Sequence, residues 1–205
     1  MTKPSGRRPR RRHTPTEPRR IVRVLTEGEI TEPDYLTEWA RLNRHKVRLD
    51  LADYGMTPDA LVGRARVYAR GNRRSRRVDR DFDEIWCVFD ADEHKKLAQA
   101  IEEARQGGIE LAVSNPCMEL WLVLHARDQT AHIHRHDVQS LSNELGLTDG
   151  KKIADAARAT LVVGFETAKQ RARALDVRHA GNGSPPRSNP STDVWRLVDR
   201  LNSDP

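Results

Sequence analysis

The sequence predicts an α/β fold: a mainly parallel, four-stranded sheet flanked by helices, followed by a helical C-terminal cap. Three observations predict it. Short β-rich runs alternate with helical stretches over the first 126 residues, and a βαβαβαβα order argues for parallel strands joined by right-handed crossovers. Two of the strands stop abruptly at acidic residues just before a helix begins. Beyond His125 the strand signal gives way to segments with apolar residues at helical spacing.

Taken in order, Arg20-Ile-Val-Arg-Val-Leu25 is the first β-rich run, and it ends in Thr26-Glu27-Gly28-Glu29-Ile30-Thr31-Glu32-Pro33. Gly28 suits a tight strand-to-helix turn, Thr31 suits a helix N-cap, and Pro33 falls in the first turn, where proline is favoured. That helix runs to about Arg44, with Tyr35, Leu36, Trp39 and Leu42 as its apolar stripe. Residues 47–51 alternate and read as a strand nearer the sheet edge, and Thr57-Pro58 starts a helix that runs to about Arg70. The basic segment 71–77 has no apolar anchor and reads as a loop, either solvated or in contact with phosphates.

Ile85-Trp-Cys-Val-Phe89 is a buried strand that stops at Asp90-Ala-Asp92-Glu93. A helix from about Lys95 to Gln106 is closed by Gly107-Gly108. The fourth strand, 109–113, runs through Ser114-Asn115-Pro116 to Glu119 and the apolar helix start Leu120-Trp-Leu-Val-Leu124. Further on, 151–159, 166–175 and 192–201 read as helices and 181–186 as a loop. The predicted organisation is a tail over 1–19, an α/β unit over 20–126, and a cap over 127–205 packed on the same body.

Charge divides the chain the same way. Of a formal +6, residues 1–20 carry eight Lys/Arg against one acid, so the remaining body, with 28 basic and 29 acidic side chains, is nearly neutral. The Arg- and Pro-rich tail has almost nothing to bury and is expected to be disordered, as a leader or as a grip on phosphates. It lacks the apolar core of a secretory signal, and no later run is long enough to span a bilayer, so no membrane partner is expected and the expected location is cytoplasmic. Two cysteines, Cys87 and Cys117, do not make a disulfide framework.

The chemistry concentrates at the strand ends. In an extended Asp90-Ala91-Asp92 the two carboxylates point to the same side, into the crevice beyond the carboxyl ends of a parallel sheet. Held together they repel, and a hard divalent cation is the usual remedy. A second such run, Asp79, Asp81 and Asp83, has no strand before it, and an EF-hand reading fails because its sixth position is Glu84 rather than glycine. Glu27 also ends a strand ahead of a helix. If the two strands are neighbours, Glu27, Asp90 and Asp92 form a candidate Mg²⁺ or Mn²⁺ site, with one acid free for proton transfer, suited to phosphodiester chemistry. The plainer reading is three solvated acids at loop mouths. Asn115 and Glu119 leave the fourth strand at the same edge, either to serve that crevice or as an N-cap and a first-turn carboxylate. His132, His134 and His136 read as exposed loop residues and His125 as a core histidine.

Four segments together resemble a known family: Leu25-Thr-Glu-Gly-Glu-Ile-Thr-Glu-Pro-Asp-Tyr35, Ile85-Trp-Cys-Val-Phe-Asp-Ala-Asp-Glu93, Ser114-Asn-Pro-Cys-Met-Glu-Leu-Trp-Leu-Val-Leu-His125 and Asn189-Pro-Ser-Thr192. Their order and spacing, over about residues 20–202, resemble the RloB-like family, itself similar to Toprim domains. The resemblance implies a Toprim-like fold, with Glu27 in the place of the catalytic glutamate and Asp90 and Asp92 in that of the metal-binding Asp-x-Asp. It also implies a role in bacterial phage defence, by abortive infection with an AAA-type ATPase partner. Tyr35, Tyr54 and Tyr68 all fall within or beside predicted sheet elements, which does not suit a topoisomerase nucleophile, and no primase apparatus is visible. The expectation is a nuclease or phosphodiesterase that uses Mg²⁺ or Mn²⁺ on DNA or RNA, with Glu27 and Glu119 as catalytic residues. The alternative is a non-catalytic effector or adaptor that binds the ATPase or nucleic acid.

Overall fold

The computed structural model describes residues 19–76, 80–91, 94 and 96–204, so all of the predicted tail but Arg19 lies outside the described residues. Four strands form where β-branched and aromatic residues run together: β1 (Arg20–Thr26), β2 (Val47–Tyr54), β3 (Glu84–Asp90) and β4 (Glu110–Asn115). They are joined by α1 (Thr31–Leu42), α2 (Pro58–Arg74) and α3 (Leu97–Gly107). The four pair in parallel in the order β2-β1-β3-β4. A two-residue strand late in the chain, β7 (Ser191–Thr192), adds antiparallel to β4 as a fifth. The mostly parallel α/β sheet is consistent with the predicted Toprim-like fold. The strand count is five rather than four because two residues are too short a run to carry a period.

The pleat sends alternate residues to opposite faces, and each face meets its own helices. Val22, Val24, Trp86, Val88 and Ala112 pack with Tyr35, Leu36 and Trp39 of α1. Leu25, Ile85, Cys87, Phe89, Leu111 and Val113 pack with Leu61, Val62 and Ala65 of α2 and Ala100 and Ala104 of α3. Right-handed crossovers require this division, because the chain moves one way from β1 to β2 and the other way from β2 through β3 to β4. Fully burying a side chain such as Leu25 or Phe89 contributes about 1.5–3 kcal/mol.

The C-terminal half builds a second layer over the α1 face. Helix α4 (Met118–Ala126) buries every side chain from Met118 to His125, which is why its sequence is apolar all round. Around it lie α5 (Arg135–Glu144), a two-stranded ribbon of β5 (Thr148–Asp149) and β6 (Lys152–Ile153), α6 (Arg158–Val163), α7 (Phe165–Gly181) and α8 (Val194–Asn202). Trp39 of α1 meets Phe165 of α7 at 5.2 Å between ring centres, and Phe165 meets Trp121 of α4 at 6.1 Å, so sheet and cap share one interior. The predicted stripe of Val194, Leu197, Val198 and Leu201 on α8 is fully buried in it.

Several local readings are corrected. Residues 152–157, expected to be helical, are β6 and a 3-10 turn, pinned where Asp34 of α1 accepts the Ile153 N–H at 3.0 Å and pairs with Arg158 at 3.0 Å. The expected basic loop begins as helix, since α2 continues to Arg74. Thr31 is not the N-cap of α1: Ile30 holds that place, and the Thr31 hydroxyl donates to the Lys151 carbonyl at 2.8 Å. Gly108 closes α3 at φ 63°, as glycine at that position predicts. Cys87 and Cys117 are free and buried, and burial pushes the Cys87 thiol up to about 12. Among the described residues no helix is long and apolar enough to cross a membrane.

Candidate functional site

The strand order reverses between β1 and β3, and in an open α/β sheet the crevice beyond that reversal is where ligands bind. Glu27 extends β1 by one residue, its N–H donating to the Val88 carbonyl at 2.9 Å. Its carboxylate spans the gap to β3: Oε2 accepts the Asp90 N–H at 3.1 Å, and Oε1 lies 3.0 Å from His94 Nε2. Asp90 is the last residue of β3 and stands beside Ser114 of β4. Two helix starts supply further acids, Glu32 in the first turn of α1 and Glu119 in the first turn of α4. Arg135, the first residue of α5, reaches in from the cap and donates from Nη2 to Asp90 Oδ2 at 2.7 Å. Glu27, Glu32, Asp90, Glu119 and Arg135 line one cleft of about 380 Å³.

A family model described as RloB-like protein matches residues 22–201, from β1 into α8. This chain belongs to the RloB-like family. No curated protein and no solved structure matches it.

In this RloB-like chain the crevice is short of positive charge. Asp90, Glu32 and Glu119 are 5%, 4% and 6% exposed. Burial lifts the Asp90 carboxyl well above the usual carboxylate range; Glu32, Glu27 and Glu119 push the same way, and Arg135 opposes them. Burial likewise raises Glu32, opposed by hydrogen bonds from backbone N–H groups, including that of Gly28 at 3.0 Å. The positive ends of α1 and α4 offset part of the charge on Glu32 and Glu119. All the donors are carboxylate oxygens, the ligand type a hard cation such as Mg²⁺ or Mn²⁺ takes. The ion pair with Arg135 is made through Asp90 Oδ2. Among the described residues, no three His, Cys, Asp or Glu side chains converge closely enough to enclose an ion.

Of the residues singled out from the sequence, Glu27, Asp90 and Glu119 come together in this crevice, and Asp92 lies outside the described residues. Asn115 turns away, its amide donating to the Arg187 carbonyl at 2.8 Å. It does not cap α4 either, whose N-cap is Cys117. His125 is buried with Nδ1 2.9 Å from the Trp121 carbonyl, and burial lowers it to about 4. The rings of His132 and His134 meet edge to face at 5.1 Å on the surface, and His136 is exposed on α5. None of the three tyrosines lines the cleft.

Sequence reasoning missed three functional groups. Glu32 carried a signal: Gly28 lies four residues before it, and a Cβ on Gly28 would collide with the Glu32 carboxylate. Gly28 has no positive φ, so close approach of the Glu32 carboxylate rather than turn conformation favours glycine there. Arg135 and His94 carried none, because each is defined by a contact with a residue far along the chain.

Proposed function

We propose that this RloB-like chain is a divalent-metal-dependent nuclease or phosphodiesterase acting in bacterial phage defence. The observation that carries the reading is the set of three almost fully buried carboxylates, joined by Glu27, at the β1–β3 switch point, with Arg135 the one guanidinium that lines the same cleft among the described residues. Asp90, with Asp92 and Glu27, would hold Mg²⁺ or Mn²⁺. Such an ion supplies charge neutralisation on phosphate oxygens and activation of a water. Glu27, fixed by the Asp90 N–H and facing His94, takes a proton at Oε1 and passes it toward the imidazole. Arg135 orients a phosphate through its guanidinium while keeping Asp90 in place. Glu119, buried against the same cleft, positions the substrate. The role in defence rests on the family alone.

A second reading is favoured by one observation: Asp90 already has a counterion in Arg135. On that reading the crevice is a structural charge pair, and the chain is an adaptor for an AAA-type ATPase or for nucleic acid. Incubation of the purified protein with Mg²⁺ or Mn²⁺ and a panel of DNA, RNA and tRNA separates the two. Cleavage that Asp90→Asn abolishes supports the enzyme; intact nucleic acid with every metal refutes it.

A further inference from the structure

A second cleft, of about 680 Å³, lies at the opposite edge of the sheet, where the strands begin. Arg73 of α2, Arg80 of the segment before β3, and Arg196 and Arg200 of α8 line it. Glu84 at the start of β3 is shared by Arg200 at 2.5 Å and Arg20 at 3.4 Å. Glu110 pairs with Arg196 at 3.0 Å and Asp199 with Lys169 at 2.6 Å. Asp83 accepts only the Ile21 N–H, at 2.7 Å. Four arginines and four carboxylates thus line the cleft among the described residues, and Arg20 and Lys169 pair with two of those carboxylates, Glu84 and Asp199, from outside the lining.

Two of the four arginines have no acidic partner among the described residues. Arg73 donates to the Gly107 carbonyl at 3.1 Å rather than to an acid. Arg80 is exposed and has no polar partner among the described residues. The basic 71–77 segment supplies part of this charge, because its opening residues are the last turn of α2 and so fix Arg73 at the cleft.

We infer that this cleft binds the phosphodiester backbone of a nucleic acid strand. Arginine presents a planar fork of donors matched to phosphate oxygens. The lining arginines are spread over α2, α8 and the segment before β3, so a row of phosphates engages them where a single phosphate does not. The exposed pairs within the cleft, worth about 0–1 kcal/mol each, rearrange readily around such a strand. The seven residues of β3 at about 3.3 Å each put the cleft about 20 Å from the acid crevice. It therefore holds a flanking stretch of the strand and not the bond at the acids. The inference rests on nucleic acid being this chain's ligand, not on the acid crevice being catalytic.

The test is fluorescence anisotropy of labelled 20-nucleotide RNA and DNA in EDTA over a salt series, with the full chain, Arg80→Glu, Arg73→Ala/Arg80→Ala and Asp90→Asn. Arg80 makes no contact that folding needs, so Arg80→Glu is the decisive variant. It should weaken binding roughly tenfold and reduce the slope of log affinity against log salt by about one. Asp90→Asn should bind at least as well as the native chain. Equal affinity and slope for the native chain and Arg80→Glu overturn the inference, as does displacement by AMP or polyglutamate as effective as by unlabelled strand. If Arg80→Glu weakens binding but no metal supports cleavage, the crevice reading falls and this one stands; cleavage with unaltered binding by Arg80→Glu does the reverse.

Discussion

Replacing Gly28 with alanine tests the crevice at its tightest point. The new methyl would occupy the space of the Glu32 carboxylate, which is 4% exposed and accepts the Gly28 N–H at 3.0 Å. Glu32 must then swing from its place, breaking that hydrogen bond inside a desolvated crevice. Losing such a bond and leaving the half-buried Gly28 donor unpaired costs up to about 1–3 kcal/mol. At about 2–4 °C per kcal/mol for a chain of this size, the melting midpoint should fall by roughly 2–12 °C. The assay is a thermal melt followed by far-UV circular dichroism in EDTA, on Gly28→Ala, Glu32→Ala and the double variant. With the carboxylate gone, the methyl has room, so the double variant should melt close to Glu32→Ala and the two changes should be strongly non-additive. A Gly28→Ala midpoint equal to the native one, or strict additivity, would refute the close approach and the placement of Glu32.

Three further outcomes follow. In EDTA, the Asp90 and Glu32 contribution to native stability should fall as pH rises: the two titrate from about 3.8 and 4.5 when unfolded but higher when folded, so through them the native state binds more protons in that window, against the opposite contribution of groups such as His125, which burial lowers. Asp90→Asn should flatten the dependence, read from urea midpoints at stepped pH, and should be neutral or slightly stabilising at pH 7. Adding Mn²⁺ to a hundredfold excess over its Kd should stabilise the native chain by about 2.7 kcal/mol, and Asp90→Asn should lose most of this while Asp81→Asn keeps it; matching shifts in a melting titration of native and Asp90→Asn protein would remove the metal site. Truncation after Gly183 removes β7 and the fully buried stripe of α8, so its unfolding should broaden and its solubility drop, and a transition as sharp as that of the full chain would show α8 to be an appendage.

The parallel sheet was legible because each long strand is a concentrated apolar run bounded by turn residues, as in Ile85–Phe89 before Asp90. Glu27 and Asp90 were legible for the same reason, since an acid at the end of such a run stands out against it, and Glu119 because it stands just ahead of the apolar run 120–124. Contacts that join distant segments left no local trace. Strand β7 exists because Ser191 and Thr192 pair with Asn115 and Ser114, some 76–78 residues earlier. Arg135 has no sequence signal of its own, and only the fold places it 2.7 Å from Asp90. The end of α2 misled because exposed arginines at the last turn of a helix look, in sequence, like a loop.

The one-sidedness of the aromatic interior gives the chain a built-in optical bias. Trp39, Trp86 and Trp121 are buried in the layer between the sheet and α1, α4 and α7, and the partly buried Trp195 packs against the same layer. These are all four tryptophans of the chain. The α2–α3 layer holds only phenylalanines and a partly buried tyrosine as its rings. Indole emission therefore records the loosening of the cap and the α1 face and is blind to the opposite layer, whereas far-UV ellipticity weighs both. The two signals share a midpoint only if the layers on either side of the sheet melt together.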